Sequence, residues 1–144
     1  MKNILLIGCG HMGGSLMSGW SNSKNYTISV IDKKKYAILK KRNRNKKIKF
    51  FKSIDDINNQ NNLDYIIFAT RPLELTNVFK ELKNVNFNKK SIAISVIAGK
   101  KTEIFKNNLL NINKIVRVMP NMPALIGEGV HCIYTNKYIN KKEI

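Results

Sequence analysis

The residues from Ile4 to Gly14 read ILLIGCGHMGG, and this stretch decides the fold. Its apolar start predicts a buried strand over Asn3–Ile7, and an amphipathic segment follows the glycines. Gly8, Gly10 and Gly13 have the spacing Gly-x-Gly-x-x-Gly that is typical of a dinucleotide site between a strand and a helix. The first glycine permits a tight turn, the second lets a pyrophosphate approach the backbone, and the third lets helix and strand pack closely. A glycine turn without a ligand is the structural alternative.

Apolar runs and amphipathic segments alternate along the rest of the chain. The predicted strands are Asn3–Ile7, Thr27–Ile31, Ile48–Phe51, Asp64–Ala69, Ser91–Ile97, Lys114–Met119 and Val130–Tyr134. The predicted helices are His11–Ser21, Lys34–Arg42, Pro72–Lys83 and Thr102–Leu110, with a short turn at Ser53–Asn58. Pro72 suits a first helical position, and Ser53 and Thr102 are expected helix caps. This alternation predicts an α/β fold, a doubly wound Rossmann-type parallel sheet with helices on both faces, as a single domain over residues 1–144.

Size and composition limit the class of protein. The 144 residues are enough for one domain, and the hydrophobic fraction of 43% is typical of a globular protein. No apolar run approaches the roughly 20 residues that cross a bilayer, so no membrane partner is expected. The first strand begins at Asn3, which leaves no room for a signal peptide. Cys9 and Cys132 form no Cys-x-x-Cys pair, and we expect a reduced, cytoplasmic setting.

The formal net charge of +17 allows two interpretations. Ten basic residues lie within Lys33–Lys49, and such a cluster can form an anion site or a nucleic-acid site. It can also be the solvated face of a helix in a protein that is rich in lysine throughout. We favour the second interpretation, because basic residues also crowd Lys80–Lys90, Lys100–Lys106 and Lys137–Lys142. No specific nucleic-acid partner is expected.

The end of the second predicted strand carries conflicting signals about the cofactor. Asp32 lies 19 residues beyond Gly13, near the position where an acid binds the adenine ribose of NAD. Lys33, Lys34 and Lys35 can instead neutralise the 2′-phosphate of NADP, with Asp32 turned away. Asp32 can also cap the following helix. The sequence therefore leaves NADP or NAD open.

The sequence predicts less about the other residues of the glycine loop and about the two histidines. His11 is expected to contact solvent or the rim of the cofactor, and Met12 to pack beneath the nicotinamide end of the loop. His131 is expected to be an ordinary strand residue. The two histidines have no matching cluster of acids or cysteines, so no metal site is expected.

Three later strands end at the edge where ligands bind in such sheets. The residues at these ends are Ala69, Thr70, Arg71 and Pro72 after the fourth strand, Ala98 and Gly99 after the fifth, and Pro120 and Asn121 after the sixth. Arg71 is a candidate anchor for a substrate carboxylate or a cofactor phosphate. Its alternative role, a surface cation at a helix start, is disfavoured by the helix dipole. Pro120 and Pro123 stiffen the loop around Asn121, so the loop can hold a polar side chain over a ligand.

The set of motifs resembles the N-terminal domain of pyrroline-5-carboxylate reductase. The family's glycine loop, GxGxMG, is matched by Gly8, Gly10, Met12 and Gly13. Its alanine-glycine pair is matched by Ala98 and Gly99, and Arg71-Pro72 replaces its lysine-proline pair. Its MPNTPA loop is matched by Met119, Pro120, Asn121, Pro123 and Ala124, with Met122 in place of threonine and with Gly127 and Gly129 following. The resemblance covers this chain but only about the first half of the family's usual length, and the 144 residues are expected not to include the family's C-terminal helical dimerisation domain.

The resemblance implies reduction of 1-pyrroline-5-carboxylate to L-proline by NADH or NADPH, the last step of proline biosynthesis. Asn121 and the backbone around Pro120 would frame the substrate ring, and Arg71 would supply positive charge. The cofactor contacts would come from Gly8, Gly10, His11, Met12, Gly13, Asp32, Lys33, Ala69, Thr70, Arg71, Pro72, Ala98 and Gly99. A homo-oligomer is expected only for the full-length protein. Two alternatives remain: another GxGxMG enzyme such as a beta-hydroxyacid dehydrogenase, against which the Met119–Ala124 loop argues, and an orphan, non-catalytic NAD(P)-binding module.

Overall fold

The computed structural model describes residues 1–121, 129–140 and 142–143. These residues form seven strands and four α-helices. The strands are β1 (Lys2–Ile7), β2 (Tyr26–Ile31), β3 (Ile48–Phe51), β4 (Tyr65–Phe68), β5 (Ile92–Ser95), β6 (Lys114–Pro120) and β7 (His131–Thr135). The helices are α1 (His11–Ser21), α2 (Tyr36–Arg42), α3 (Leu75–Leu82) and α4 (Thr102–Asn108). Two short 3₁₀ helices, Ile54–Asp56 and Gln60–Asn62, lie between β3 and β4.

The strands form one sheet in the order β3-β2-β1-β4-β5-β6-β7. Strands β1 to β6 are parallel, so their carboxyl ends lie along one edge, called the carboxyl edge below, and their starts along the amino edge. The direction of the strand order reverses between β1 and β4. From β1 the chain adds β2 and β3 on one side of the sheet, and from β4 it adds β5 and β6 on the other side. The predicted doubly wound, Rossmann-type α/β fold is confirmed.

The core lies on both faces of the sheet. Leu5 and Ile7 of β1 face one cluster, which includes Phe79 of α3 and Phe105 of α4. The neighbouring residues of β1 face a second cluster, against which Leu16, Met17 and Trp20 of α1 pack. Because both faces are covered, the buried runs Ile4–Ile7 of β1 and Ile66–Phe68 of β4 are continuously apolar, as the sequence pattern predicted. Burying one such large side chain stabilises the fold by about 1.5–3 kcal/mol.

Strand β7 corrects the prediction of an entirely parallel sheet. It pairs with β6 in the antiparallel direction, with Val118 opposite Ile133. Residues 121–130 connect the two strands, and this is shorter than the dozen or more residues that a parallel crossover needs. Four of the five side chains of β7 are exposed, in contrast with the buried central strands.

The starts of two helices also differ from the predictions. Helix α2 begins at Tyr36, because the preceding lysines form a turn. Helix α3 begins at Leu75, and Pro72 lies in a turn closed by the N–H of Glu74, which donates to the carbonyl of Arg71 at 3.0 Å. The prediction that Pro72 occupies the first helical position is therefore wrong.

The two predicted caps have different outcomes. The Ser53 hydroxyl accepts a hydrogen bond from the N–H of Asp55 at 3.3 Å, and the Asp56 carboxylate accepts one from the N–H of Ser53 at 3.1 Å. Ser53 is therefore the expected cap, although it caps a 3₁₀ helix. Thr102 is the first residue of α4, and the capping position belongs to Lys101.

Candidate functional site

The glycine loop between β1 and α1 has a shape that only glycine permits at two positions. Gly8 has a φ of +93°, and a Cβ there would lie 2.8 Å from the carbonyl carbon and oxygen of Ala69. A Cβ on Gly13 would lie 2.1 Å from the carbonyl oxygen of Gly8. At Gly10, by contrast, no heavy atom of the described residues lies within 4 Å of such a Cβ. The loop is tightly packed beneath and open above Gly10.

The open side of the loop is the N-terminus of α1. The first hydrogen bond of this helix runs from the N–H of Gly14 to the carbonyl of Gly10 at 2.9 Å. The N–H groups of His11, Met12 and Gly13 precede that bond, so the helix itself does not use them. His11 is exposed and Met12 is half-buried. The positive end of the helix dipole and three N–H donors without a partner among the described residues make this place suited to an anion such as a pyrophosphate.

Asp32, at the end of β2, holds the loop from the side. One carboxylate oxygen accepts the N–H of Cys9 at 2.8 Å, and the other accepts the N–H of Lys35 at 3.0 Å. The ammonium group of Lys35 in turn donates to the carbonyl of Cys9 at 3.0 Å. Asp32 therefore fixes both the glycine loop and the turn before α2, and it is half-buried while doing so.

A cavity of about 540 Å³ lies beside the loop, between the end of β2 and helix α3. Its lining comprises Ile7, Gly8, Ile31, Asp32, Lys33, Lys34, Thr70, Glu74, Asn77, Val78, Lys80 and Glu81. The hydroxyl oxygen of Thr70 is buried and has no hydrogen-bond partner among the described residues. A buried, unpartnered hydroxyl at a cavity is a group that a polar ligand can satisfy.

Ion pairs connect the two walls of this cavity. The ammonium groups of Lys33 and Lys34 lie 2.6 Å and 2.7 Å from the carboxylates of Glu81 and Glu74. The guanidinium of Arg71 lies 2.9 Å from the same oxygen of Glu74. Hydrogen bonds from Lys34 and then from Arg71 lower the pKa of Glu74 from 4.5 to about 2. Sequence reasoning missed both glutamates, although their spacing of seven residues places them on one face of the predicted third helix.

The residues after β4 lie close to the glycine loop. The backbone of Ala69 and Thr70 lies directly beneath Gly8. Arg71 follows, with 73% of its side chain exposed, and the structure pairs it with Glu74. It thus lies at the rim as a surface cation before α3, the role that the helix dipole was expected to disfavour, and its proposed role as an anchor stays a prediction.

The other site residues lie farther along the carboxyl edge. The strand registers place Ile7, Phe68, Ser95 and Arg117 side by side in β1, β4, β5 and β6, so the segments after them leave the sheet in the same direction. After β5 come Ala98 and Gly99, both exposed, with Gly99 at a φ of +70°. Pro120 ends β6. Among the described residues, the cavity beside the glycine loop does not reach these positions.

Asn121 is hydrogen-bonded to Val130, which lies beyond the proline-containing loop that the sequence analysis identified. Its side-chain oxygen accepts the N–H of Val130 at 3.1 Å. Met122, Pro123, Ala124 and Gly127 lie outside the described residues. The part of the resemblance that rests on them stays a prediction.

The two cysteines and the second histidine have no shared site. Cys9 is a buried free thiol within the glycine loop, and burial raises its pKa. Cys132 is a free, exposed thiol on β7, next to the exposed His131. In the part of the chain that the structure describes, no three His, Cys, Asp or Glu side chains are grouped so as to hold a metal ion. Within the same ranges, no helix is long and apolar enough to span a bilayer.

A second, larger cavity of about 730 Å³ lies at the amino edge, where β1, β4, β5 and β6 begin. Its polar groups are largely paired with one another. Lys2 contacts Asp64 at 2.8 Å, and the hydroxyl of Ser91 donates to the carbonyl of Leu63 at 2.6 Å. Lys114 pairs with Glu143. Ligands of parallel sheets bind at the carboxyl edge, and the free donors described above lie there.

Comparison with known proteins identifies the family of the chain. A family model described as "NADP oxidoreductase coenzyme F420-dependent" matches residues 3–99, which include the glycine loop and the ends of β4 and β5. The chain belongs to this family. A pyrroline-5-carboxylate reductase from Haemophilus influenzae is 31% identical over 142 residues, which cover 94% of this chain and 49% of that protein. The chain thus spans about half the length of the curated relatives that it matches along its whole length.

Solved structures share the fold. A pyrroline-5-carboxylate reductase from Coxiella burnetii superposes with a TM-score of 0.81 at 24% identity, covering 99% of this chain and 52% of the other. The pyrroline carboxylate reductase from Plasmodium falciparum, solved with NADP bound, gives a TM-score of 0.74 at 23% identity, covering 99% of this chain and 51% of the other. The resemblance to the N-terminal domain of pyrroline-5-carboxylate reductases is confirmed by these comparisons.

Proposed function

We propose that the chain is the cofactor-binding part of a pyrroline-5-carboxylate reductase, which reduces 1-pyrroline-5-carboxylate to L-proline with NADPH or NADH. The observation that carries the proposal is a 31% identity to such a reductase along 94% of the chain. The open helix N-terminus above Gly10 supports it independently, because it supplies the anion site that a dinucleotide needs.

The residues at the carboxyl edge fit a nicotinamide dinucleotide. The proposed pyrophosphate contacts are the N–H groups of His11, Met12 and Gly13, above the open position at Gly10. The adenosine end would occupy the 540 Å³ cavity, where the Thr70 hydroxyl is without a partner among the described residues. Both NADP and NAD are proposed, because acidic and basic groups line this cavity together.

When bound, the cofactor supplies a hydride to the carbon of the substrate's C=N bond. The chain's own residues are proposed to bind and orient. Ala98 and Gly99 would border the nicotinamide, and Asn121 with the backbone of Pro120 would position the substrate ring. Arg71 would supply positive charge for a carboxylate, which requires it to leave Glu74. A substrate whose ring nitrogen is already protonated needs no general acid from the protein.

The proposal extends to the whole protein. We expect its partner to be a small molecule, its setting the cytoplasm, and its full-length form a homo-oligomer. No specific nucleic-acid site is proposed, because Lys33 and Lys34, at the start of the basic segment, are engaged by Glu81 and Glu74. Any binding of duplex DNA should be weak and should disappear by about 200 mM salt.

The experiment that tests this function compares substrates in one assay. NADPH or NADH oxidation by the 144-residue chain is followed after addition of 1-pyrroline-5-carboxylate, and NAD(P)+ reduction is followed with a 3-hydroxy acid. We expect slow oxidation with the pyrroline, below the roughly 1 per second typical of slower enzymes, because Ala98, Gly99 and Asn121, which would border the reacting groups, are exposed to water.

The Asn121→Ala variant is expected to lower that rate further while leaving cofactor affinity unchanged. Turnover of the 3-hydroxy acid in preference to the pyrroline would contradict the proposal in favour of a hydroxyacid dehydrogenase. Failure to bind either nicotinamide cofactor would contradict it altogether.

A further inference from the structure

The charged groups at the mouth of the 540 Å³ cavity come from two separate walls. Lys33 and Lys34 follow β2 on one side, and Glu74 and Glu81 belong to α3 or its N-cap on the other. The ion pairs Lys33–Glu81 and Lys34–Glu74 join residues 48 and 40 positions apart in the chain. They therefore bridge the cavity, at the place where our proposed function puts the adenine ribose.

Asp32, at the end of β2, does not by itself determine whether the site prefers NAD or NADP. Both oxygens of Asp32 accept backbone N–H groups, from Cys9 and from Lys35. Lys35 is likewise engaged, because its ammonium group donates to the Cys9 carbonyl. The charges that remain at the cavity are thus those of Lys33, Lys34 and Lys80, of the two glutamates, and of Arg71 at the rim. Of these cations, Lys33 and Lys34 lie at the end of β2 next to Asp32, where an adenine ribose is bound in such folds.

We propose that Glu74 and Glu81 are specificity-determining positioning residues, which lower the preference of this site for a 2′-phosphorylated ribose by retaining Lys34 and Lys33. The inference rests on the proposed function. A 2′-phosphate carries more negative charge than one carboxylate, and it competes with each glutamate for its lysine. Each glutamate that loses its lysine also remains nearby as a like charge, which repels the phosphate.

A 2′-phosphate can compete with the glutamates for Lys33 and Lys34, because these ion pairs are exposed to solvent. The side chains of Lys33 and Lys34 are 59% and 71% exposed, and those of Glu81 and Glu74 are 36% and 35% exposed. Such pairs are individually weak, so a phosphate can displace them. The glutamates then reduce the advantage of NADPH over NADH without preventing its binding, and a site with this arrangement accepts both cofactors.

The test measures binding, not turnover. NADPH and NADH are titrated against the 144-residue chain by isothermal calorimetry, at low and constant salt. The variants are Glu74→Gln and Glu81→Gln, which keep the shape of the side chain and remove its charge. Each should raise the ratio of Kd for NADH to Kd for NADPH by about three- to tenfold, with the NADH affinity changed less than twofold.

Two controls separate this effect from general damage to the fold. Glu103→Gln removes an exposed carboxylate from the first turn of α4, away from the cavity, and should leave the ratio unchanged. Glu74→Gln releases both Lys34 and Arg71, because both contact the same carboxylate oxygen. Adding Lys34→Met should abolish the gain, whereas adding Arg71→Met should leave it, because Lys34 is the cation that lies at the end of β2.

The outcomes are distinguishable. If the unaltered chain binds neither cofactor, the proposed cofactor site is wrong and this inference falls with it. If both cofactors bind but the glutamate variants leave the ratio unchanged, or change both affinities equally, only this inference is overturned. A gain that survives Lys34→Met would also overturn it.

Discussion

The two edges of the sheet each carry a cavity, and the larger one is not the better candidate for a site. The amino-edge cavity measures about 730 Å³ and the carboxyl-edge cavity about 540 Å³. At the amino edge, Asp64 accepts both the Lys2 ammonium and the N–H of Asn3, so the polar groups satisfy one another. At the carboxyl edge, the first N–H groups of α1 and the hydroxyl of Thr70 have no partner within residues 1–121, 129–140 and 142–143 and can meet a ligand. The comparison indicates that hydrogen-bond donors without partners are a better guide to the candidate site than the volume of a cavity.

The largest expected effect is at the carboxyl edge, where the glycine loop packs under the sheet ends. Gly13→Ala would bring a Cβ to 2.1 Å from the carbonyl oxygen of Gly8, which is backbone and cannot turn aside. We expect a loss of about 3 kcal/mol in the free energy of unfolding, and a fall in Tm of about 10 °C. Thermal and urea unfolding measure both quantities.

The matched control is Gly19→Ala in the same helix, where no heavy atom of the described residues lies within 4 Å of the added methyl group. This change should stabilise the chain by about 0.5–1 kcal/mol, because alanine favours a helix over glycine. An equal loss of stability in both variants would show that the close packing at Gly13 is not what the loop requires.

The second prediction concerns Gly10, where a substitution should weaken cofactor binding but have little effect on the free energy of unfolding. A side chain at Gly10 meets open space in the described structure but lies where a pyrophosphate would approach. Gly10→Val should weaken NADPH and NADH at least tenfold, about 1.4 kcal/mol, and reduce the free energy of unfolding by less than about 1 kcal/mol. Gly19→Val is the control for valine in α1. Cofactor titration that is unchanged by Gly10→Val would refute the site.

The third prediction concerns the amino edge, which should matter for stability and not for binding. Asp64→Asn removes the charge that contacts Lys2 at 2.8 Å and halves the acceptors available to the two donors. We expect a loss of about 1 kcal/mol in stability and cofactor affinities within twofold of the original. A tenfold loss of affinity in a folded Asp64→Asn variant would move the site to the opposite edge.

The smallest expected effect is a pH dependence at the mouth of the carboxyl-edge cavity. Lys34 and Arg71 lower the pKa of Glu74 from 4.5 to about 2. A lowered pKa means that the ionised form is favoured by folding, so its stabilisation is present above pH 4.5 and is lost as the pH falls towards 2. Because these side chains are exposed, we expect it to be at most about 1 kcal/mol.

Urea unfolding of the original chain and of Glu74→Gln at pH 6, 4 and 3 measures this dependence. The difference in stability between the two proteins should shrink as the pH falls. A difference that is constant with pH would show that the ion pairs of Glu74 do not contribute.

The sequence predicted the strands, the helices and the glycine loop well, because these depend on local patterns. The apolar run of β1 and the spacing of Gly8, Gly10 and Gly13 specify a strand, a turn and a helix start within a few residues. The antiparallel direction of β7 does not follow from its apolar residues, which are compatible with either direction. It could have been predicted from the ten residues, 120–129, between the two predicted strands, because a parallel crossover needs a dozen or more. Pro72 was misplaced because proline suits a turn as well as a first helical position.

The arrangement of charges in the site could not be predicted from the sequence. Asp32 was expected to meet the ribose or to cap a helix, but its contact with the N–H of Cys9 depends on how β1 and β2 lie in the sheet. Lys33 and Lys34 were weighed as phosphate ligands without their glutamate partners. Such partners are distant in the chain and are brought together only by the packing of α3 beside the end of β2.

The most direct test of the central claim locates the cofactor on one edge of the sheet. NADPH is added to the ¹⁵N-labelled chain, and amide chemical shifts are followed by NMR. We predict saturable shifts at Gly8, Gly10, Met12, Gly13 and Thr70, with the amides at the amino edge unmoved. Shifts centred instead on Asn3, Ser91 and Lys114, or no saturable shift at any amide, would contradict the assignment of the site to the carboxyl edge.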